Sequence, residues 1–303
     1  MSGLDLAIGG VRFAVQAPDG VQAVEDDPIY RQFITPSPTD AEGAGELRVP
    51  VTLRLDPPPD LGGARRVFDT EETWSAHRLG DDLWLRLDCD SGDWIWQARL
   101  MDIDSREPSA TPRIDIHCGK PLQLGPDRVR SPLHYPLDQL LIDVLLAERR
   151  GFVCHAAGIL GPAGGALFAG PSGVGKTTLS RWVEEHTDLP VVSDDRVVVR
   201  GHGDKPTLHG TPWAGEGRMA LRRSAPLVAL VFLHHGSEDA LTLLSPAAAL
   251  ERLLPVASIL WFESRYTEAT LDHCAELIAT VPAYDLHFRP GSGAVESVEF
   301  LLA

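Results

Sequence analysis

Residues 170–177 read Gly-Pro-Ser-Gly-Val-Gly-Lys-Thr, a complete match to Gly-x-x-x-x-Gly-Lys-Ser/Thr. No other feature restricts the fold as much, because such a loop works between the end of a strand and the start of a helix. The flanks comply. Ala166-Leu167-Phe168-Ala169 is a short apolar strand, and Lys176 to His186 is a helix-forming stretch. Gly170, Gly173 and Gly175 permit positive φ and let backbone N–H groups converge on anionic oxygens. The following helix turns its positive end to the same point. Lys176 brings a mobile charge toward the terminal phosphates, and Thr177 offers a hydroxyl to magnesium. Gly170, Pro171, Ser172, Gly173, Val174, Gly175, Lys176, Thr177 and Thr178 are therefore the expected cradle of ATP with Mg2+.

Around the loop the pattern alternates between strand and helix, the signature of an α/β unit. A helix is expected over 135–150, where Leu137, Leu140, Leu141, Val144 and Leu145 share one face. A strand over 152–160 and a tight turn over 161–165 follow. Past the P-loop helix comes the apolar run 190–192, and later a strand over 228–233. The tail carries a helix opened by Ser245-Pro246, a helix over 268–281, a strand over 284–288 and a closing helix.

The first 120 residues differ. Strands are expected over 11–16, 47–55, 83–89, 94–101 and 113–118, separated by Asp/Pro/Gly turns such as Asp56-Pro57-Pro58-Pro59-Asp60. Four of the seven Trp residues fall here, as residues that pack well on pleated surfaces. The expected fold class is thus α/β: a P-loop catalytic domain with a mixed sheet over 126–303, preceded by a smaller, mostly antiparallel β domain over 1–125. The linker is expected within 120–135.

The chain has 303 residues, enough for two cores, and its net charge is -16. That field repels polyanions, so nucleic acid is not an expected partner. No basic stretch followed by an apolar run opens the sequence, and eighteen consecutive apolar residues occur nowhere, so neither signal peptide nor membrane span is expected. Four scattered cysteines without a Cys-x-x-Cys pair suit neither a disulfide framework nor zinc. The expected compartment is the cytoplasm.

Three further positions bear on the reaction. Ser193-Asp194-Asp195 follows the run 190–192, where a strand end aims side chains at a bound nucleotide. Two carboxylates can divide the labour, one holding magnesium and one accepting a proton, provided the backbone bends between them. The alternative is a solvated strand end or a turn. His155 interrupts an apolar strand beside the P-loop strand; it is either a hydrogen-bonded core residue or, paired with Asp194 or Asp195, a tuner of the base. Arg218, Arg222 and Arg223 suit either a transferred phosphate or a solvated basic face, and Arg265 and Arg289 are looser candidates.

His155-Ala156-Ala157-Gly158, the P-loop and Ser-Asp-Asp at 193–195 together resemble the catalytic domain of bacterial HPr kinase/phosphorylase. They are more similar still to related kinases outside sugar regulation, including those that phosphorylate lasso peptides. The resemblance covers residues 135–300. It implies an ATP- and Mg2+-dependent kinase acting on a hydroxyl, of serine in the family, on a peptide, protein or small molecule. In that pattern His155 pairs with the acidic motif, Asp194 acts on the hydroxyl, and Asp195 lies near the metal. Glu216-Gly217-Arg218 echoes the family's Glu-x-Arg-Gly, with Met219 in place of Gly, and puts Glu216 near the metal as well. Oligomeric assembly is also a family habit. The first 120 residues and the stretch after Glu216 depart from the family, which points away from HPr as acceptor. The rival readings are a nucleotide-gated binding module and a phosphorylase or ATPase.

Overall fold

A computed structural model describes residues 4–35, 46–89, 93–104, 111–202, 205–289 and 291–303. The chain divides into two compact units, Met1–Leu141 and Ile142–Ala303.

The first unit contains β1 (Leu4–Ile8), β2 (Val11–Gln16), β3 (Gln22–Val24), α1 (Pro28–Arg31), β4 (Ile34–Thr35), β5 (Leu47–Arg54), β6 (Arg65–Asp69), β7 (Trp74–Leu79), β8 (Asp82–Asp88), β9 (Trp94–Met101), β10 (Arg113–Cys118) and β11 (Arg128–Arg130). Nine of these strands form one sheet in the order β4-β1-β2-β5-β10-β9-β8-β7-β6. Its neighbours are antiparallel apart from β2/β5 and β5/β10, which are parallel. Registry explains the core: Leu85 lies opposite Ala98, Ala98 opposite Ile116, and Ile116 opposite Leu53. All four are buried, so one face of the sheet is apolar.

β11 pairs in parallel with β3, so residues 128–130 belong with the first unit rather than with a linker. α2 (Leu137–Ala147) then spans the change from one unit to the next. A boundary at 125/126 could not anticipate this, because the tie is made to residues about a hundred positions earlier.

The second unit contains β12 (Gly151–Cys154), β13 (Ala156–Gly161), β14 (Gly164–Ala169), α3 (Lys176–His186), β15 (Val191–Ser193), β16 (Val197–His202), β17 (Lys205–His209), β18 (Ser224–His235), β19 (Ala240–Leu243), α4 (Pro246–Leu253), α5 (Ser264–Thr280), β20 (Ala283–Phe288) and α6 (Ser292–Leu302). Seven strands follow the path β12-β16-β17-β18-β14-β13-β15, and β20 joins on β18 with β19 beside it. The sheet is mixed: β14/β18 and β18/β20 are parallel and the other pairs antiparallel. The chain is therefore a mixed α/β protein with several sheets.

Side chains of β14 alternate between two cores. Leu167 and Ala169 join Leu230, Phe232, Leu253 and Leu277, while Ala166 and Phe168 join Leu179, Val183, Val231 and Val298. Burial on both faces is why this strand is apolar throughout. Helix α3 buries Lys176, Leu179, Ser180 and Val183, the i, i+3, i+4, i+7 positions of one stripe. Among the described residues no helix is long and apolar enough to cross a membrane.

Candidate active site

The P-loop runs from the end of β14 into α3, as its pattern requires. Gly173 stands at φ +82° and Gly175 at φ +105°, in the region that a side chain makes costly. A Cβ on Gly175 would also lie 2.9 Å from Phe288 Cζ at the end of β20. The tip of the loop is tied to β18, since His235 Nε2 lies 3.2 Å from the Gly173 carbonyl oxygen. No side chain caps the first turn of α3. Its leading N–H groups thus remain available, a positive pole turned to the loop. Lys176 is largely buried, and its ammonium donates to the carbonyls of Gly170 (2.8 Å) and Pro171 (3.2 Å).

The strand expected over 152–160 is broken at His155. β12 pairs with β16, whereas β13 pairs with β14 and β15. At the switch His155 has no strand partner, and its N–H donates instead to the Val256 carbonyl at 2.7 Å. Its ring is turned to the acidic motif: Nδ1 lies 3.3 Å from Asp195 Oδ1, without the alignment of a hydrogen bond. Burial and then the Lys176 charge lower its pKa, against the pull of Asp195, so the imidazole is neutral at pH 7.

Backbone after β15 bends as the two-carboxylate reading demands. The Ser193 hydroxyl accepts from Asp195 N–H (3.4 Å) and Arg196 N–H (3.2 Å), closing a tight turn. The two aspartates then part. Asp194 is 1% exposed, and its carboxylate accepts three backbone N–H groups, from Gly215 (2.8 Å), Gly217 (2.6 Å) and Met219 (3.3 Å). A carboxylate so placed organises the 215–219 loop. Asp195 faces the P-loop side with Arg196 Nη1 paired to its Oδ2 and His155 beside its Oδ1. The Lys176 pKa is lowered by burial and drawn back up by Asp195, which marks the two as electrostatic neighbours. The structure therefore brings His155, Asp195 and Lys176 together and ties Asp194 to the 215–219 loop beside Thr177.

The loop held by Asp194 also approaches the cradle. A Cβ on Gly217 would lie 2.6 Å from Asp194 Oδ2 and 3.1 Å from Thr177 Cγ2, so a side chain there would part the loop from both. Glu216, next to it, is exposed. Among the described residues no three His, Cys, Asp or Glu side chains form a group that could enclose a metal. A hydroxyl and one or two carboxylates do suit magnesium, which keeps several waters and takes its other oxygens from phosphates.

Arg218, Arg222 and Arg223 are exposed, and Arg265 pairs with Glu148. The sequence pattern gave no notice of His235, at the end of β18, or of the bonds that the 215–219 amides make to Asp194. Arg196, next to the acidic pair, was not among the sequence candidates.

No protein-family model matches the chain, and no curated protein matches it. Among solved structures, the chain is similar to that of the Hpr(Ser) kinase/phosphatase from Coxiella burnetii. The identity is 13% and the TM-score 0.29, over 50% of this chain and 87% of that one.

Proposed function

We propose that this chain is an ATP- and magnesium-dependent kinase of the HPr-kinase type that transfers the γ-phosphate to a hydroxyl, with serine as the acceptor group the motifs favour. The observation that carries the reading is the cluster of His155, Asp195 and Lys176 beside a P-loop whose helix end is uncapped. The amides of 170–178 and the end of α3 bind the triphosphate. On nucleotide arrival the Lys176 ammonium exchanges the Gly170 and Pro171 carbonyls for phosphate oxygens.

Asp195 takes the proton. The acceptor oxygen attacks the γ-phosphorus, its proton passes to the Asp195 carboxylate, and the bond to the β–γ bridging oxygen breaks to release ADP. His155, with Nδ1 3.3 Å from Asp195 Oδ1, stands beside that carboxylate and fixes its side of the site. Asp194 holds the 215–219 loop against Thr177. Thr177 and, from that loop, Glu216 would hold magnesium, whose charge offsets that of the β- and γ-oxygens. Asp195, expected at the metal, serves as the base in this reading.

The test is label transfer from γ-labelled ATP into an extract of the source cell, with wild type and Lys176→Ala in parallel. The reading expects a labelled product with wild type and none with the variant. Label released wholly as free phosphate would favour an ATPase. Partner binding that depends on ATP without turnover would favour a nucleotide-gated module.

A further inference from the structure

We propose that Arg196 is a phosphoryl-binding residue, which leaves Asp195 for the γ-phosphate of a bound triphosphate and so frees the base only when there is a group to transfer. This rests on the kinase reading and adds to it a sensor for the nucleotide's phosphate count.

The geometry separates a fixed backbone from a side chain with a choice of partner. Arg196 N–H donates to the Ser193 hydroxyl at 3.2 Å, and the Arg196 carbonyl accepts the Thr211 hydroxyl. Both bonds are made by the main chain, so the turn does not depend on which anion the guanidinium meets. That guanidinium is paired through Nη1 with Asp195 Oδ2, and its side chain is 30% exposed. The other Asp195 oxygen lies 3.3 Å from His155 Nδ1. In this state one carboxylate oxygen is taken by the Arg196 pair, while the other has His155 Nδ1 near it without a hydrogen bond.

Charge balance supplies the driving force. Two cations, Lys176 and Arg196, stand near one carboxylate, Asp195, with His155 held neutral. Arg196 pairs with Asp195, Asp195 lies beside His155, and the next residue, Ala156, is registered on Ala169 at the mouth of the P-loop. A γ-phosphate brought to Lys176 therefore arrives within the field of Arg196. It offers a planar guanidinium a bidentate acceptor with more charge than a single carboxylate. A diphosphate lacks that group, and with it Arg196 stays on Asp195. Exchange of partners thus couples the base to the presence of a transferable phosphoryl group.

Equilibrium titration with Mg-ATP and with Mg-ADP tests this without a known acceptor, on the full chain. Wild type should bind ATP more tightly than ADP. Arg196→Ala should lose roughly tenfold in ATP affinity, the worth of a charge-assisted hydrogen bond, with ADP affinity unchanged. Arg196→Lys, which keeps the charge and loses the fork, should fall between. Asp195→Asn removes the competing carboxylate and should tighten ATP more than ADP; adding Arg196→Ala should abolish that preference, as a double-mutant cycle reads directly. Wild-type discrimination in Arg196→Ala, or equal losses for both nucleotides, overturns this proposal and leaves the kinase reading standing. A wild type that binds neither nucleotide overturns both.

Discussion

A carboxylate can act as a base only where a lone pair is open to the incoming proton. Asp194 accepts three backbone amides in a buried setting, while Asp195 meets two side chains. Replacing Asp194 by Asn puts an amide NH2 against at least one of those N–H groups. The variant should lose about 1–3 kcal/mol of unfolding free energy, the cost of a buried hydrogen-bonding group left unpaired. Urea unfolding of the variant checks this, and a stability equal to wild type contradicts the assignment. The motif Ser193-Asp194-Asp195 told that an acidic pair stands at a strand end. Which aspartate faces the chemistry depends on amides some twenty residues later, and no spacing rule encodes that. Arg196 went unremarked for a related reason: an arginine after two aspartates looks like a surface ion pair until its surroundings are known.

At the level of elements, legibility follows how local the stabilising forces are. Helix α3 occupies Lys176–His186, the span its pattern predicts, because its buried stripe and its glycine entry are both local. Helix α4 starts at Pro246 with the Ser245 hydroxyl accepting from Ala248 N–H at 3.4 Å, again a local signal. The break at His155 was not legible. Val153 and Cys154 continue into Ala156 and Ala157 as one apolar run, yet β12 and β13 pair with different strands. What parts them is the bond from His155 N–H to Val256 O, a hundred residues away. The hairpin of β16 and β17 was missed as well, since polar Arg200, His202, Lys205 and His209 dilute its apolar pattern. These two misses border the site, where strands end and side chains must turn outward.

The whole molecule holds two units with different chemistry. The second carries the P-loop and its partners. The first carries a buried polar network among β3, α1 and the stretch leading to α2. His134 Nε2 lies 2.8 Å from Glu25 Oε2, its ring stacks on Tyr30 at 4.1 Å, and the Tyr30 hydroxyl donates to Asp138 at 2.9 Å. Arg31 Nε donates to the Glu25 carbonyl. Burial pulls the His134 pKa down, and the Glu25 hydrogen bond with the charges of Glu25, Asp138 and Asp27 outweighs it, so His134 titrates above its ordinary value. A raised folded pKa stabilises fully below the unfolded value, about 6.5, and the stabilisation is lost as pH rises through the folded value. Wild type should therefore lose stability relative to His134→Gln between about pH 6.5 and the alkaline side. A difference that is flat, or that grows with pH, contradicts the charged pair.

The central claim is that Asp195, beside His155 and Lys176, removes the acceptor proton at a P-loop that binds ATP independently of it. Parallel measurement of Mg-ATP binding and γ-phosphate transfer into the source extract, for wild type and Asp195→Asn, tests it most directly. The account predicts that Asp195→Asn binds ATP at least as tightly as wild type and transfers about a hundredfold more slowly or worse, the share of rate that a positioned base supplies. Transfer at near the wild-type rate, or loss of transfer only in step with loss of ATP binding, would contradict it.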